Sequence, residues 1–151
     1  MEAKYWTERH YKAVEKAGGF PELLLLAYDI IDSIPKPVSM LSGPISSGGS
    51  GSLTKNLETF AQTISTLEKQ GEHIFNQLPF EDKFIELSKH SKLTYFTPIL
   101  EDFFLPILKS GKIKKIWFMS GWETSTGAKW EYEQTQKLGI EQCFISSENS
   151  V

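Results

Sequence analysis

Gly121-Trp122-Glu123-Thr124-Ser125-Thr126-Gly127-Ala128-Lys129-Trp130-Glu131 is the stretch whose reading decides the fold. Ahead of it runs Ile113-Lys114-Lys115-Ile116-Trp117-Phe118-Met119, an apolar run of strand length. Behind it a helical pattern covers 126–138 and stops at Gly139. Strand, small-residue turn and helix make one βα unit, and open α/β sheets place their ligands over such turns. With Ser125 or Thr126 as the cap, Ala128, Glu131, Tyr132, Thr135 and Leu138 form one stripe that should face the sheet. Lys129, Glu133, Gln134 and Lys137 take the wet side. Glu131 is the misfit in the inward stripe. An unpaired charge on a buried face is expensive, so the side chain needs a lysine partner at the rim, a cavity or a chemical role. The positive end of the helix, one turn away, is expected to help keep it ionised.

The same order of elements occurs earlier in the chain. Val38-Ser39-Met40-Leu41 reads as a short buried strand running into Ser42-Gly43-Pro44-Ile45 and the small-residue loop Ser46-Ser47-Gly48-Gly49-Ser50-Gly51-Ser52. Leu57, Phe60, Ala61, Ile64 and Leu67 then recur at helical spacing over 53–69, with Gly71 as the stop. Carboxyl ends of parallel strands share one edge, so both turns should open on one crevice. The loop over 43–52 suits an anion cradle at a helix start. It reads equally well as a flexible connector. A nucleoside-triphosphate loop is excluded, because Gly43-x-x-x-x-Gly48 is followed by Gly49-Ser50 and not by the lysine that such loops need.

Further strands are expected at 73–76 and 142–145, and helices over 81–89 and 98–109, the latter kinked or shortened by Pro106. Residues 2–17 show loosely helical spacing, and a second helix runs from Pro21 to about residue 34, ended by Pro35 and Pro37. Strands alternating with helices predict a parallel α/β sheet of four to five strands, covered on both faces, within 38–151. Residues 1–37 then form an N-terminal helical extension.

Bulk properties narrow the function classes. The chain has 151 residues, 40% hydrophobic and 23% charged, which suits one domain with a core. A net charge of −3 and a pI near 5.6 argue against a polymeric nucleic acid as partner. Lys109, Lys112, Lys114 and Lys115 read as a solvated turn before a strand. The longest greasy stretch, 23–31, contains Asp29 and is too short to cross a bilayer. The polar N-terminus lacks the apolar core of a signal peptide, and Cys143 is the only cysteine, so a cytoplasmic location without disulfides is expected. His10, His73 and His90 have no ligand spacing with Cys143, so no metal is expected. No Gly-x-Ser-x-Gly elbow occurs. Asp102, after Glu101 and before Phe103-Phe104-Leu105, reads as favourable charge at a helix start. Trp117, Trp122 and Trp130 suit core packing or stacking on a base.

Ser42-Gly43-Pro44-Ile45, Asn56, Phe60, Leu67, Gly71, His73 and Gly121-Trp122-Glu123-x-Ser125-x-Gly127-Ala128-x-x-Glu131 together resemble a largely uncharacterised bacterial and phage family. That family is related to nucleoside 2-deoxyribosyltransferases and 2′-deoxynucleoside 5′-phosphate N-hydrolases, and the likeness covers about 38–146. It implies a flavodoxin-like, doubly wound parallel sheet in a homo-oligomer whose neighbouring subunits complete the sites. In the related enzymes a glutamate attacks the anomeric carbon, and water or a second base resolves the glycosyl-enzyme. Glu131 matches that glutamate. Ser125 matches a serine of the 5′-phosphate hydrolases, and Gly43, Ser46 and Gly48 fall in the loop used around sugar and phosphate. Asp102 aligns with an aspartate that assists departure of the base. The arginine often found in the hydrolases' first loop is missing, and Ser110-Gly111-Lys112 stands where a second aspartate is expected.

The resemblance therefore implies an N-glycosyl hydrolase or transferase acting on a nucleoside or nucleotide without a cofactor. Glu131 and Asp102 would be catalytic. Ser42, Gly43, Pro44, Ile45, Ser46, Gly48, Trp122, Ser125 and Gly127 would hold the substrate. The competing expectation is a nucleotide-sensing module that keeps the pocket and lacks turnover.

Overall fold

The computed structural model describes residues 3–46, 48–89 and 98–145. Its centre is a parallel sheet of three strands in the order β1 (Val38–Ser42), β2 (Ile113–Phe118) and β3 (Glu141–Phe144). Ser39 pairs with Lys115 and Ser42 with Phe118; on the far side Trp117 pairs with Cys143. All five β1 residues are buried, as suits a parallel strand packed on both faces.

Alternation along the strands sorts side chains between two apolar clusters. Val38, Met40, Ile116 and Phe118 join the larger one, while Leu41 and Met119 join the smaller. Helix α3 (Leu53–Lys69) closes the smaller cluster with Phe60, Ile64 and Leu67. The larger face receives α1 (Glu8–Lys16), α2 (Phe20–Asp32), the α4 helix (Glu81–Ser88) and α5 (Leu105–Lys109). Leu23, Ala27, Ile30 and Ile31 of α2 are fully buried there, so the N-terminal segment shares the core of the sheet. Trp6 Nε1 donates to the Asn76 carbonyl at 2.9 Å and fixes the chain ahead of α1.

The run at 73–76 departs from expectation. It makes one isolated parallel bridge, Ser39 to Ile74, beside β1. Asn76 turns the chain at once: its Oδ1 accepts from the Leu78 backbone, and a short 3-10 turn, Leu78–Phe80, opens around Pro79. Pro106 also acts locally. Residues Ile99–Phe104 wind as a π-turn before α5, consistent with the N–H that proline cannot donate to the previous turn. His90 and residues 146–151 of the expected domain lie outside the described residues. No helix among the described residues is long and apolar enough to cross a membrane.

Candidate functional site

Ser42 is the last residue of β1 and lies on the face of Met40, the face that α6 (Thr126–Leu138) covers. Ser125 caps that helix, its Oγ accepting from the Ala128 backbone at 3.1 Å, and Gly139 ends it at φ 72°. The cap sets the rotation of the helix. Ala128, Glu131 and Thr135 consequently face inward. Tyr132 is only half-buried and Leu138, expected on the same stripe, is 39% exposed.

Glu131 is 7% exposed. Ser42 Oγ donates to its Oε1 at 2.8 Å, while Oε2 is shut off from water and has no hydrogen-bond partner among the described residues. Burial pushes its pKa up to about 7, and the Ser42 hydrogen bond opposes part of that rise. Desolvation in the second helical turn is the larger of these two effects.

Two glycine-bearing turns stand over this carboxyl. A Cβ on Gly43 would collide with the Met119 side chain, whose own Cβ would lie 2.9 Å away. Gly48, at φ 72°, lies so close to the Thr124 backbone that a Cβ there would overlap it. Gly49 N–H donates to Thr124 Oγ1 at 2.7 Å, and Thr124 Oγ1 donates to the Gly121 carbonyl at 2.6 Å. Asn56 of α3 holds the first turn from below. Its Nδ2 donates to the carbonyls of Ile45 and Gly48, and its Oδ1 accepts from the backbone and hydroxyl of Ser50. This loop is pinned at several points, unlike a Gly/Ser connector. Ser47 lies outside the described residues.

Between the turns and α4 lies a cavity of about 230 Å³. That is just under the roughly 300–1,000 Å³ of most small-molecule sites and suits a compact ligand. Gly43, Ile45, Ser46, Ser125, Gly127 and Glu131, all named from the sequence, line it. Ser42 reaches it only through Glu131. Pro44, Gly48, Trp122 and Asp102 do not line it. Pro44 is buried behind the turn, and Gly48 acts through the contact with Thr124. Trp122 stacks on Tyr132, ring centroids 4.8 Å apart, beside Phe118 and Phe144. Asp102 is exposed on the π-turn, whose Leu100 and Phe104 face the cavity instead.

Sequence reasoning missed the opposite wall, made by Gln77, Glu81, Phe84 and Ile85 with Leu100 and Phe104. Glu81 at the start of α4 has its pKa raised to about 8, first by burial, then by the negative charge of Glu131 and of Asp82, against a hydrogen bond from Gln77. Gln77 is 5% exposed, and its Oε1 has no partner among the described residues. No Lys, Arg or His among the described residues lines the cavity, and no described cluster of His, Cys, Asp and Glu has the makings of a metal site. The basic cluster lies elsewhere, with Lys112 paired to Asp32 at 2.7 Å.

Comparison of the chain with protein-family models, with curated proteins and with solved structures gave no match.

Proposed function

We propose that this chain cleaves the N-glycosidic bond of a nucleoside or nucleotide, with Glu131 as nucleophile. One observation carries the reading: a buried carboxyl lines a small cavity at the C-terminal edge of the sheet with one oxygen fixed and the other unpartnered. Ser42 orients the group through Oε1. Once ionised, Oε2 is the oxygen left to attack when the side chain presents it to a bound ligand. A titration near neutrality suits this role, since the group can be a carboxylate at working pH without being tied up in an ion pair.

The electron pair of Oε2 forms the new bond to the anomeric carbon, and the carbon–nitrogen bond breaks toward the base. Water, or a second base, then displaces Glu131 and restores the carboxylate. Dividing the cleavage in this way replaces one high barrier with two lower ones. Ser46, Ser125 and the Gly43 and Gly127 backbones supply the polar rim for a sugar, and Phe60, Phe84 and Phe104 supply an apolar wall for a base. The reaction needs no cofactor.

The four-to-five-stranded, doubly wound, flavodoxin-like sheet of the resembled superfamily belongs to the same proposal. The bridge at Ile74 on one side of β1, with β2 and β3 on the other, supports it. A homo-oligomer whose neighbouring subunits complete the rim is part of the same proposal. The test is to incubate wild type and Glu131→Gln with a panel of deoxynucleosides and their monophosphates and to measure free base. Release by wild type alone supports the enzyme. Saturable binding without release by either protein replaces it with a sensing module.

A further inference from the structure

Two carboxyls share the cavity, and only one was legible beforehand. We propose that Glu81 is the proton donor to the departing base. This inference rests on the glycosidase reading above and assigns a second catalytic residue to the same site.

Glu81 is the first residue of α4, placed by the turn Leu78–Phe80, whose Phe80 is fully buried. That anchoring sets Gln77 and Glu81 on the cavity wall across from α6. Gln77 keeps a buried, unpartnered Oε1 on the same wall. Glu131 likewise keeps Oε2 unpartnered. Gln77 and Glu131, both more than nine-tenths buried, line the same cavity as Glu81. Asp102, the acid that the family resemblance implies, sits exposed and off the lining.

The charges around Glu81 favour its protonated form once Glu131 has ionised. Glu131 faces it from α6 and Asp82 from its own helix, and both raise its pKa. Lys83, the next residue but one, is committed to the Glu15 carbonyl at 2.9 Å and the Glu86 carboxylate at 2.8 Å. Two carboxyls in one desolvated site titrate as a pair, and the charge of Glu131 raises the pKa of Glu81. In the first step Oε2 of Glu131 bonds to the anomeric carbon. The breaking carbon–nitrogen pair goes to the base, and a base nitrogen takes the proton from Glu81. In the second step water attacks the anomeric carbon, gives its proton to the Glu81 carboxylate and releases Glu131.

An acid is needed only when the leaving group is poor. The test compares deoxynucleosides with 4-nitrophenyl 2-deoxyriboside, whose nitrophenolate departs without protonation. Glu81→Gln should lower kcat/KM on deoxynucleosides by about 100-fold or more and on the nitrophenyl substrate by only a few-fold. It should also erase the alkaline fall of the nucleoside profile, while Asp102→Asn stays within about twofold of wild type. Equal loss on both substrates, no loss on either, or the same pattern from Asp102→Asn overturns the assignment. Should Glu81→Gln not fold, wild type alone decides. A fall of kcat/KM near pH 8 on deoxynucleosides, absent on the nitrophenyl substrate, is expected, and identical profiles overturn the inference. If wild type cleaves neither substrate, the glycosidase reading fails first and this one with it.

Discussion

Helices α3 and α6 each follow a strand and a glycine-bearing turn, and each sets an amide or carboxyl side chain on its buried face, Asn56 on α3 and Glu131 on α6. Asn56 on α3 makes four hydrogen bonds, two from each end of its amide, all to the turn above it. Glu131 on α6 makes one, to Ser42, and leaves an oxygen empty. The burial is alike, at 5% and 7%. What differs is the accounting of donors and acceptors. A buried polar group whose capacity is fully used holds the fold, whereas one left half-used costs stability and persists where chemistry needs it.

Breaking the comparison at its functional end should give the largest effect. Glu131→Gln keeps an oxygen for Ser42 but cannot form the glycosyl intermediate, so base release should fall by about 1,000-fold or more. Retained turnover in that variant would make Glu131 a second Asn56. The structural end comes next. Asn56→Ala strands two carbonyls and the Ser50 donors at the turn, and should cost about 3–4 kcal/mol in urea unfolding at roughly 1 kcal/mol per lost hydrogen bond. A loss under about 1 kcal/mol would show that the turn holds itself.

A pH series sharpens the contrast, since Asn56 does not titrate. The folded pKa of Glu131, about 7, lies above the ordinary 4.5, so between these values the folded state keeps a proton that the unfolded state has lost. The contribution of Glu131 should therefore fall as pH rises through that window, and Glu81, raised to about 8, carries the wild-type fall further. Glu131→Gln should lack this part of the fall and exceed wild type at pH 8 by about 3 kcal/mol, at 1.36 kcal/mol per pKa unit. Parallel curves for the two proteins would place the charge in water. The smallest effect concerns the contact between turns. Gly48→Ala, at positive φ and against the Thr124 backbone, should cost about 2 kcal/mol in the same unfolding assay. A neutral result would mean that the turns do not depend on their close approach.

The βα units around Gly43 and Gly127 were legible because their signals are local: strand-length apolar runs, small-residue turns, a serine cap and a terminal glycine. The misfit of Glu131 was also visible, since helical spacing alone puts it among buried residues. The size of its desolvation was not visible, because that depends on how deeply α6 packs, which spacing does not reveal. Residues 73–76 look like a strand by composition, yet the ladder there closes after one bridge because Asn76 and Pro79 turn the chain. Glu81 left no local trace. An acid at a helix start ordinarily serves the helix terminus, the reading given to Asp102, and only tertiary packing sets one across from Glu131 and the other in solvent.

The central claim is that Glu131 becomes bonded to the sugar. A 2-deoxy-2-fluoroarabinosyl nucleoside, whose fluorine slows resolution of the intermediate, should load the protein with one glycosyl mass. Peptide mass spectrometry should then place that mass on Glu131. Turnover of ordinary deoxynucleosides with the label on another residue, or with no label at all, would contradict the account.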